Sequence, residues 1–347
     1  MADAEGQAMG MTGFLRKDEA SAAPTDPWHL LRGCSIEVMP RTAAKIDDLG
    51  SLLPAGTRVY IAHIHDTPID DMVATARRLS DAGFQPMPHV PARIIPDRAT
   101  LETWARRYRE EAGVTQALLL GGGVSEPAGE LDSSMAMLET EIFDRLGYQR
   151  LHVAGHPEGN KDIDRDGGSR LVDAALRWKQ AYAERTDAEM AIVTQFAFEA
   201  RPVIAWAERL AEAGITLPIH VGVAGPTKLQ TLIKFAMACG VGPSLGVLQK
   251  RALDLRKLLV PYEPTDLLGD LAAYKTKHPQ SLIEQIHVFP LGGIQAGTEW
   301  MARMRRDAEA SAAASRRHGS LSADGSGGKP GLDLQTRATD RNRLVPS

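Results

Sequence analysis

Short apolar runs rich in β-branched residues recur along the chain, and between them apolar residues return every three or four positions. The first pattern reads as strand and the second as amphipathic helix. The runs that predict strands are Ser35–Met39, Arg58–Ile64, Gln85–His89, Gln116–Leu120, Leu151–Ala154, Ala191–Phe196, Pro218–Val223 and Ile286–Pro290. The helical stretches include DDMVATARRLSDAG, LETWARRYREEAG, RPVIAWAERLAEAG and KLQTLIKFAMACG, each closed by the glycine that favours a helix C-terminus. Strand and helix alternating this strictly predict a parallel sheet with right-handed crossovers. About eight such units is the number that closes a (β/α)8 TIM barrel. The rival, an open doubly wound sheet, often carries a nucleotide fingerprint that is absent here: neither GGGVSEPAG nor GGIQAG fits G-x-G-x-x-G, and there is no Walker A motif.

The rhythm breaks at Gly246–Lys277, where VLQKRALDLRKLL and PTDLLGDLAAYK predict extra helices before the last strand. A polar lead with Ala and Pro occupies 1–28, the barrel is expected over 29–312, and 313–347 turns Ser-, Gly- and Asp-rich. Such a tail cannot bury enough apolar surface to offset its ordering entropy, so it is expected to be disordered.

Composition narrows the function classes. The chain has 347 residues, 43% of them apolar, which is ample for one large core. A net charge of −4 carries no electrostatic footprint for nucleic acid. Two cysteines, Cys34 and Cys239, offer no disulfide framework and no metal-ligand spacing, so no metal is expected. The first twenty residues lack the apolar core of a secretory signal, and no apolar run approaches the roughly 20 residues that span a bilayer. The expectation is a soluble, cytoplasmic protein with a small-molecule substrate; homo-oligomer formation stays open.

One residue sits badly with a purely structural barrel. In CSIEVMPRT, Glu37 interrupts a strand expected to be buried, and an ionised group there costs several kcal/mol unless it is paired or neutralised. Barrel active sites lie at the C-terminal strand ends. There the chain also carries His63 in IAHIHD, His89 in PMPHVPAR, Leu120, Gly121 and Gly122 in LLLGGG, His156, Glu158 and Asn160 in VAGHPEGN, Gln195 in VTQFAFE, and His220 in HVGVAGP. Each has a bland alternative: a strand-end histidine can be structural, and a glycine triplet can be a turn. Their joint occurrence is what points to a site.

These residues resemble a family. SIEVMP is similar to the S-F-E-F-F-P opening of methylenetetrahydrofolate reductases, PMPHV to their A-P-H-L, HPEGN to Y-P-E-x-H and VTQFAF to I-T-Q-F-F-F, in the same order over roughly Cys34 to Met301. The resemblance implies an FAD-containing (β/α)8 barrel that passes hydride from NAD(P)H to flavin and on to the methylene carbon of a folate. By position it makes Glu37 the general acid, with a pKa raised by poor solvation. Gln195 falls where the family glutamine meets folate and nicotinamide. His63, His89, Leu120, Gly121, His156, Glu158 and Asn160 fall at flavin-lining positions. Lys179, in LRWKQA, aligns with a lysine that meets the FAD diphosphate, although a solvated helix lysine is the plain alternative.

The departures are specific. Where the family's fourth strand ends in L-R-G-D, this chain has Leu120, Gly121 and Gly122, so the aspartate beside flavin and pterin is missing at Gly122. The tyrosine and histidine of Y-P-E-x-H are His156 and Asn160, and a threonine at the second strand end is Ala62. Three functions follow. The first is interconversion of 5,10-methylene- and 5-methyltetrahydrofolate. The second is oxidation of 5-methyltetrahydrofolate with oxygen or another acceptor. The third, of another class, is a non-catalytic barrel serving a methyltransferase as partner.

Overall fold

The computed structural model describes residues 28–238 and 260–323. The helix expected over VLQKRALDLRKLL, most of the N-terminal lead and the chain after 323 lie outside the described residues. Eight strands close into an all-parallel barrel in sequence order: β1 Ser35–Val38, β2 Arg58–Ile61, β3 Gln85–Pro91, β4 Gln116–Leu120, β5 Arg150–Gly155, β6 Glu189–Ala197, β7 Ile219–Ala224 and β8 Ile283–Phe289. The fold is the (β/α)8 barrel that the alternation predicts. All eight runs are strands, with ends that shift by up to three residues.

The outward positions explain why the strands hold. Ile36 and Val38, Val59 and Ile61, and Ile219, Val221 and Val223 are buried in one large cluster with the inner faces of the surrounding helices. Helix Ile69–Asp81 contributes Met72, Val73, Ala76 and Leu79, and helix Arg98–Ala112 contributes Leu101, Ala105 and Tyr108. Local chemistry sets the ends of the second helix: the Asp97 side chain accepts a hydrogen bond from Thr100 N, and Gly113 takes the left-handed turn at φ +63°.

The inner wall is different. The ladder pairs Glu37 with Tyr60, Tyr60 with Met87, His89 with Leu118, Leu118 with His152, Val193 with His220, and Ser35 with His287. Tyr60, Met87, Leu118 and Val193 form only a small apolar plug, with Leu120 against it. A second apolar cluster, with Phe196, Ala224 and Phe289, lies on the β6–β8 side, and between them stand polar side chains where barrels normally stack branched aliphatic ones.

Helix Thr265–Lys277 precedes β8, as expected from PTDLLGDLAAYK. The helix that follows β8, Ile294–Ala323, carries helical backbone past position 313 into the segment read as tail. Its EASAAASRRHG run has enough alanine and arginine to favour helix without a core.

Candidate active site

Glu37 lies one residue before the C-terminal end of β1, pointing into the barrel with 18% of its side chain exposed. Two imidazoles flank the same carboxylate oxygen, Oε2: Nε2 of His89 at 3.3 Å from β3, and Nε2 of His287 at 3.8 Å from β8. Burial alone would raise the carboxyl's pKa, but the proximity of His287 and His89 outweighs it and brings it from 4.5 down to about 2. This corrects the expectation of a raised pKa. Poor solvation is present, but the two imidazoles beside Oε2 outweigh it and hold the carboxyl below its ordinary value.

His287 was not singled out in the sequence, although its strand was. Its ring is 1% exposed, burial keeps its pKa below the ordinary value despite Glu37, and its Nδ1 lies 2.9 Å from Ser35 Oγ. Tyr60 packs on it with ring centroids 4.4 Å apart, and Tyr60 Oη is 2.5 Å from His152 Nδ1. His152 in turn meets His220 edge-on at 4.9 Å. Tyr60, His152 and His287 are site neighbours that motif reading missed. The available signal was their period: polar residues at alternate positions of strands that a barrel should bury on both faces.

His63, just past β2, lies tilted against Trp104 with ring centroids 5.3 Å apart and donates from Nε2 to the Thr67 carbonyl at 3.0 Å. Its other nitrogen, Nδ1, is buried without a partner, and burial lowers the pKa. His89 Nε2 likewise has no aligned hydrogen bond, although it lies 3.3 Å from Glu37 Oε2. Beyond β4, Gly121 O accepts from Arg93 N at 2.9 Å, and the Arg93 side chain donates to the carbonyls of Asp132 and Val124. Gly122 sits at φ +98°, where an added Cβ would lie 3.1 Å from Pro91 Cβ. Gly122 is thus a position where the backbone itself disfavours any side chain. Leu120 belongs to the inner plug.

On β6 the ladder register breaks between Val193 and Phe196, and the irregularity re-aims Gln195. Its Oε1 accepts from Phe196 N at 3.2 Å. The loop after β5 holds His156, Glu158 and Asn160, all partly buried. Asn160 is turned to structure, its Oδ1 accepting from Asp162 N. Asp164 accepts from Leu171 N and Val172 N, which ties the loop to helix Arg170–Ala183. That helix buries Val172, Leu176, Lys179 and Tyr182, so Lys179 stands on the apolar stripe rather than in solvent. It is 6% exposed, burial lowers its pKa from 10.5 to about 8, and it has no ion pair among the described residues. His156 feels burial first and then the charge of Lys179, which together bring its pKa down to about 4.

The structure therefore brings Glu37 and His89 into contact, and places His156 within electrostatic reach of Lys179. A groove of about 710 Å³ beside the mouth, between Met39–Leu49 and Ile64–Leu79, contains none of these groups. Among the described residues, no three His, Cys, Asp or Glu are arranged to hold a metal ion, and no helix is long and apolar enough to cross a membrane.

No protein-family model matches the chain. Among solved structures it is similar to an uncharacterized protein from Clostridium thermocellum that binds two copies of 5-methyl-5,6,7,8-tetrahydrofolic acid. The TM-score is 0.49 and the identity 11%, over 81% of this chain and 98% of that one.

Proposed function

We propose that this chain is a flavin-dependent oxidoreductase of tetrahydrofolate one-carbon units, interconverting the 5,10-methylene and 5-methyl forms. The observation that carries the reading is a carboxylate–imidazole contact at the strand ends together with a buried lysine near His156 that has no ion pair among the described residues. A buried, unpaired lysine is costly unless an anionic ligand answers it. Orphaned nitrogens at His63 and His89 are further groups that a polar ligand would satisfy.

These groups fit FAD. Lys179 would neutralise the diphosphate, and His156 and Glu158 would line its path. His63 and the backbone at Leu120–Gly122 would meet the ring system. Bound there, FAD would take hydride from a reduced nicotinamide and return it to the one-carbon unit. Gln195 presents an amide, which suits the mixed donor and acceptor edge of a pterin or a carboxamide. Glu37 and His89 would handle the proton that the amine nitrogen needs as the methylene bridge opens.

The glycines after β4 favour the oxidative direction. Without a carboxylate near the flavin, its reduced, negatively charged form is less destabilised, so it oxidises 5-methyltetrahydrofolate more readily. Heating the purified protein and chromatographing the supernatant tests the reading; FAD is the expected chromophore. Absence of flavin, together with no binding of added FAD, refutes it.

A further inference from the structure

The irregular end of β6 is built around one hydroxyl. Thr194 is 1% exposed; its Oγ1 accepts from Gly222 N at 2.9 Å and donates to the Gln195 carbonyl at 2.8 Å. It does so where the ladder register shifts, between the pairs Val193–His220 and Phe196–Gly222. Only a side chain that both accepts and donates can bridge the shift in this way. The approach also needs a glycine opposite. A Cβ on Gly222 would lie 2.6 Å from Thr194 O and 2.7 Å from Gln195 O, closer than a side chain tolerates.

The Gln195 side chain is tied at one end. Its Oε1 accepts from Phe196 N at 3.2 Å, and Phe196 is 2% exposed, with its ring 5.5 Å from that of Phe289. A backbone N–H only donates, so this contact settles which end of the amide is oxygen. Turned over, the amide would set N–H against N–H. The Nε2 end makes no hydrogen bond among the described residues. Gln195 is only partly buried, two residues before the C-terminal end of β6, where barrel sites lie. Both donors of Nε2 are therefore unspent, while Oε1 is held beside the backbone.

We propose that Thr194 and Gly222 are positioning residues that lock Gln195 as a hydrogen-bond donor, and that Gln195 thereby selects a ligand by a ring carbonyl oxygen. The choice of ring rests on the folate reading, under which the group read is the 4-oxo oxygen of the pterin. The general fit of an amide to a pterin edge becomes directional. A 2,4-diamino ring, identical except for an amino group at that position, turns donors toward donors. The amide cannot answer by flipping, because the Phe196 N–H would lose its acceptor. Leaving such groups unsatisfied weakens binding about 10- to 100-fold.

The test is calorimetry on the full-length protein with FAD supplied, comparing tetrahydrofolate with its 4-amino counterpart, tetrahydroaminopterin, under nitrogen. Neither carries a one-carbon unit, so no turnover intrudes. The wild type should prefer the 4-oxo ring at least about 10-fold. Gln195→Glu keeps the shape but only accepts, so it should reverse the preference. Thr194→Val removes the hydroxyl and should bring the ratio of affinities toward one, and Thr194→Ser should restore it. A merely structural loss would weaken both rings alike and leave the ratio where it was. A smaller wild-type preference, or an unmoved ratio in Gln195→Glu or in folded Thr194→Val, overturns the proposal. If Thr194→Val does not fold, ¹⁵N relaxation of the Gln195 side-chain amide in the ligand-free wild type decides. Its order parameter should be above about 0.7, and a lower value overturns the lock. Binding of neither ring would instead sink the folate reading, and the relaxation result would still judge the lock.

Discussion

Replacing Lys179 by methionine should stabilise the ligand-free protein and weaken its hold on a diphosphate. The side chain is 6% exposed and its pKa falls from 10.5 to about 8, so little solvent screening discounts the effect. At about 1.36 kcal/mol per pH unit, holding the ammonium in place at pH 7 costs the fold roughly 3 kcal/mol. The folded pKa lies below the unfolded one, so between pH 8 and 10.5 the unfolded chain binds more protons and stability rises with pH. Below pH 8 the cost is present in full. Methionine fills similar volume without charge. Urea unfolding at pH 7 should therefore show a gain approaching roughly 3 kcal/mol, or about 4 °C in Tm for a chain this long. The difference between variant and wild type should shrink as the pH approaches 10.5. Loss of a charge-assisted contact should meanwhile weaken FAD binding about 10- to 100-fold, measured by flavin fluorescence quenching. A variant that is less stable at pH 7, or whose advantage does not vary with pH, would mean that Lys179 is paired and the argument wrong.

Glu37→Gln should slow the folate half-reaction roughly 10²–10⁴-fold in stopped flow, while nicotinamide still reduces the flavin at the wild-type rate; equal loss in both would make Glu37 structural. Restoring an acid after β4 should lower the flavin potential, by about 30 mV for each 1.4 kcal/mol of repulsion. The better site is Gly123, with open space around its Cβ, because Gly121 lies 3.9 Å from the Arg93 guanidinium and Gly122 is strained at φ +98°. A dye-equilibrated potential that stays level or rises in Gly123→Asp refutes the electrostatic reading, and Gly122→Asp should lose stability before it can be measured. Asp164→Ala removes the acceptor for Leu171 N and Val172 N, and should cost about 1–2 kcal/mol. Faster hydrogen exchange confined to the start of helix Arg170–Ala183 would locate that loss; unchanged exchange there would show that the carboxylate does not hold the loop.

The barrel was legible along the chain because each strand and helix is specified by a local period. The outward faces, such as Ile36 and Val38 or Val221 and Val223, need only a helix to pack against, and the alternation supplies one. Even β3 was legible despite Pro86, Pro88 and Pro91, although it continues two residues beyond its predicted end. Glu37 declared itself too, as a charge where the period allows none. What it faces was not legible. His287 stands 252 positions from Ser35, and they meet because closing the barrel makes the first strand the neighbour of the last. That closure also reverses the sign of the Glu37 pKa shift. Sequence predicts a buried acid, and burial raises a pKa; only the tertiary structure brings in the two imidazoles that lower it. Lys179 follows the same rule. Its place on the apolar stripe can be read from its spacing to Val172 and Leu176, but that it meets no counter-charge among the described residues emerges only from the packed structure. Local periodicity determines where each residue points, and long-range packing decides what it meets there, because electrostatics depends on distances that no window of sequence contains.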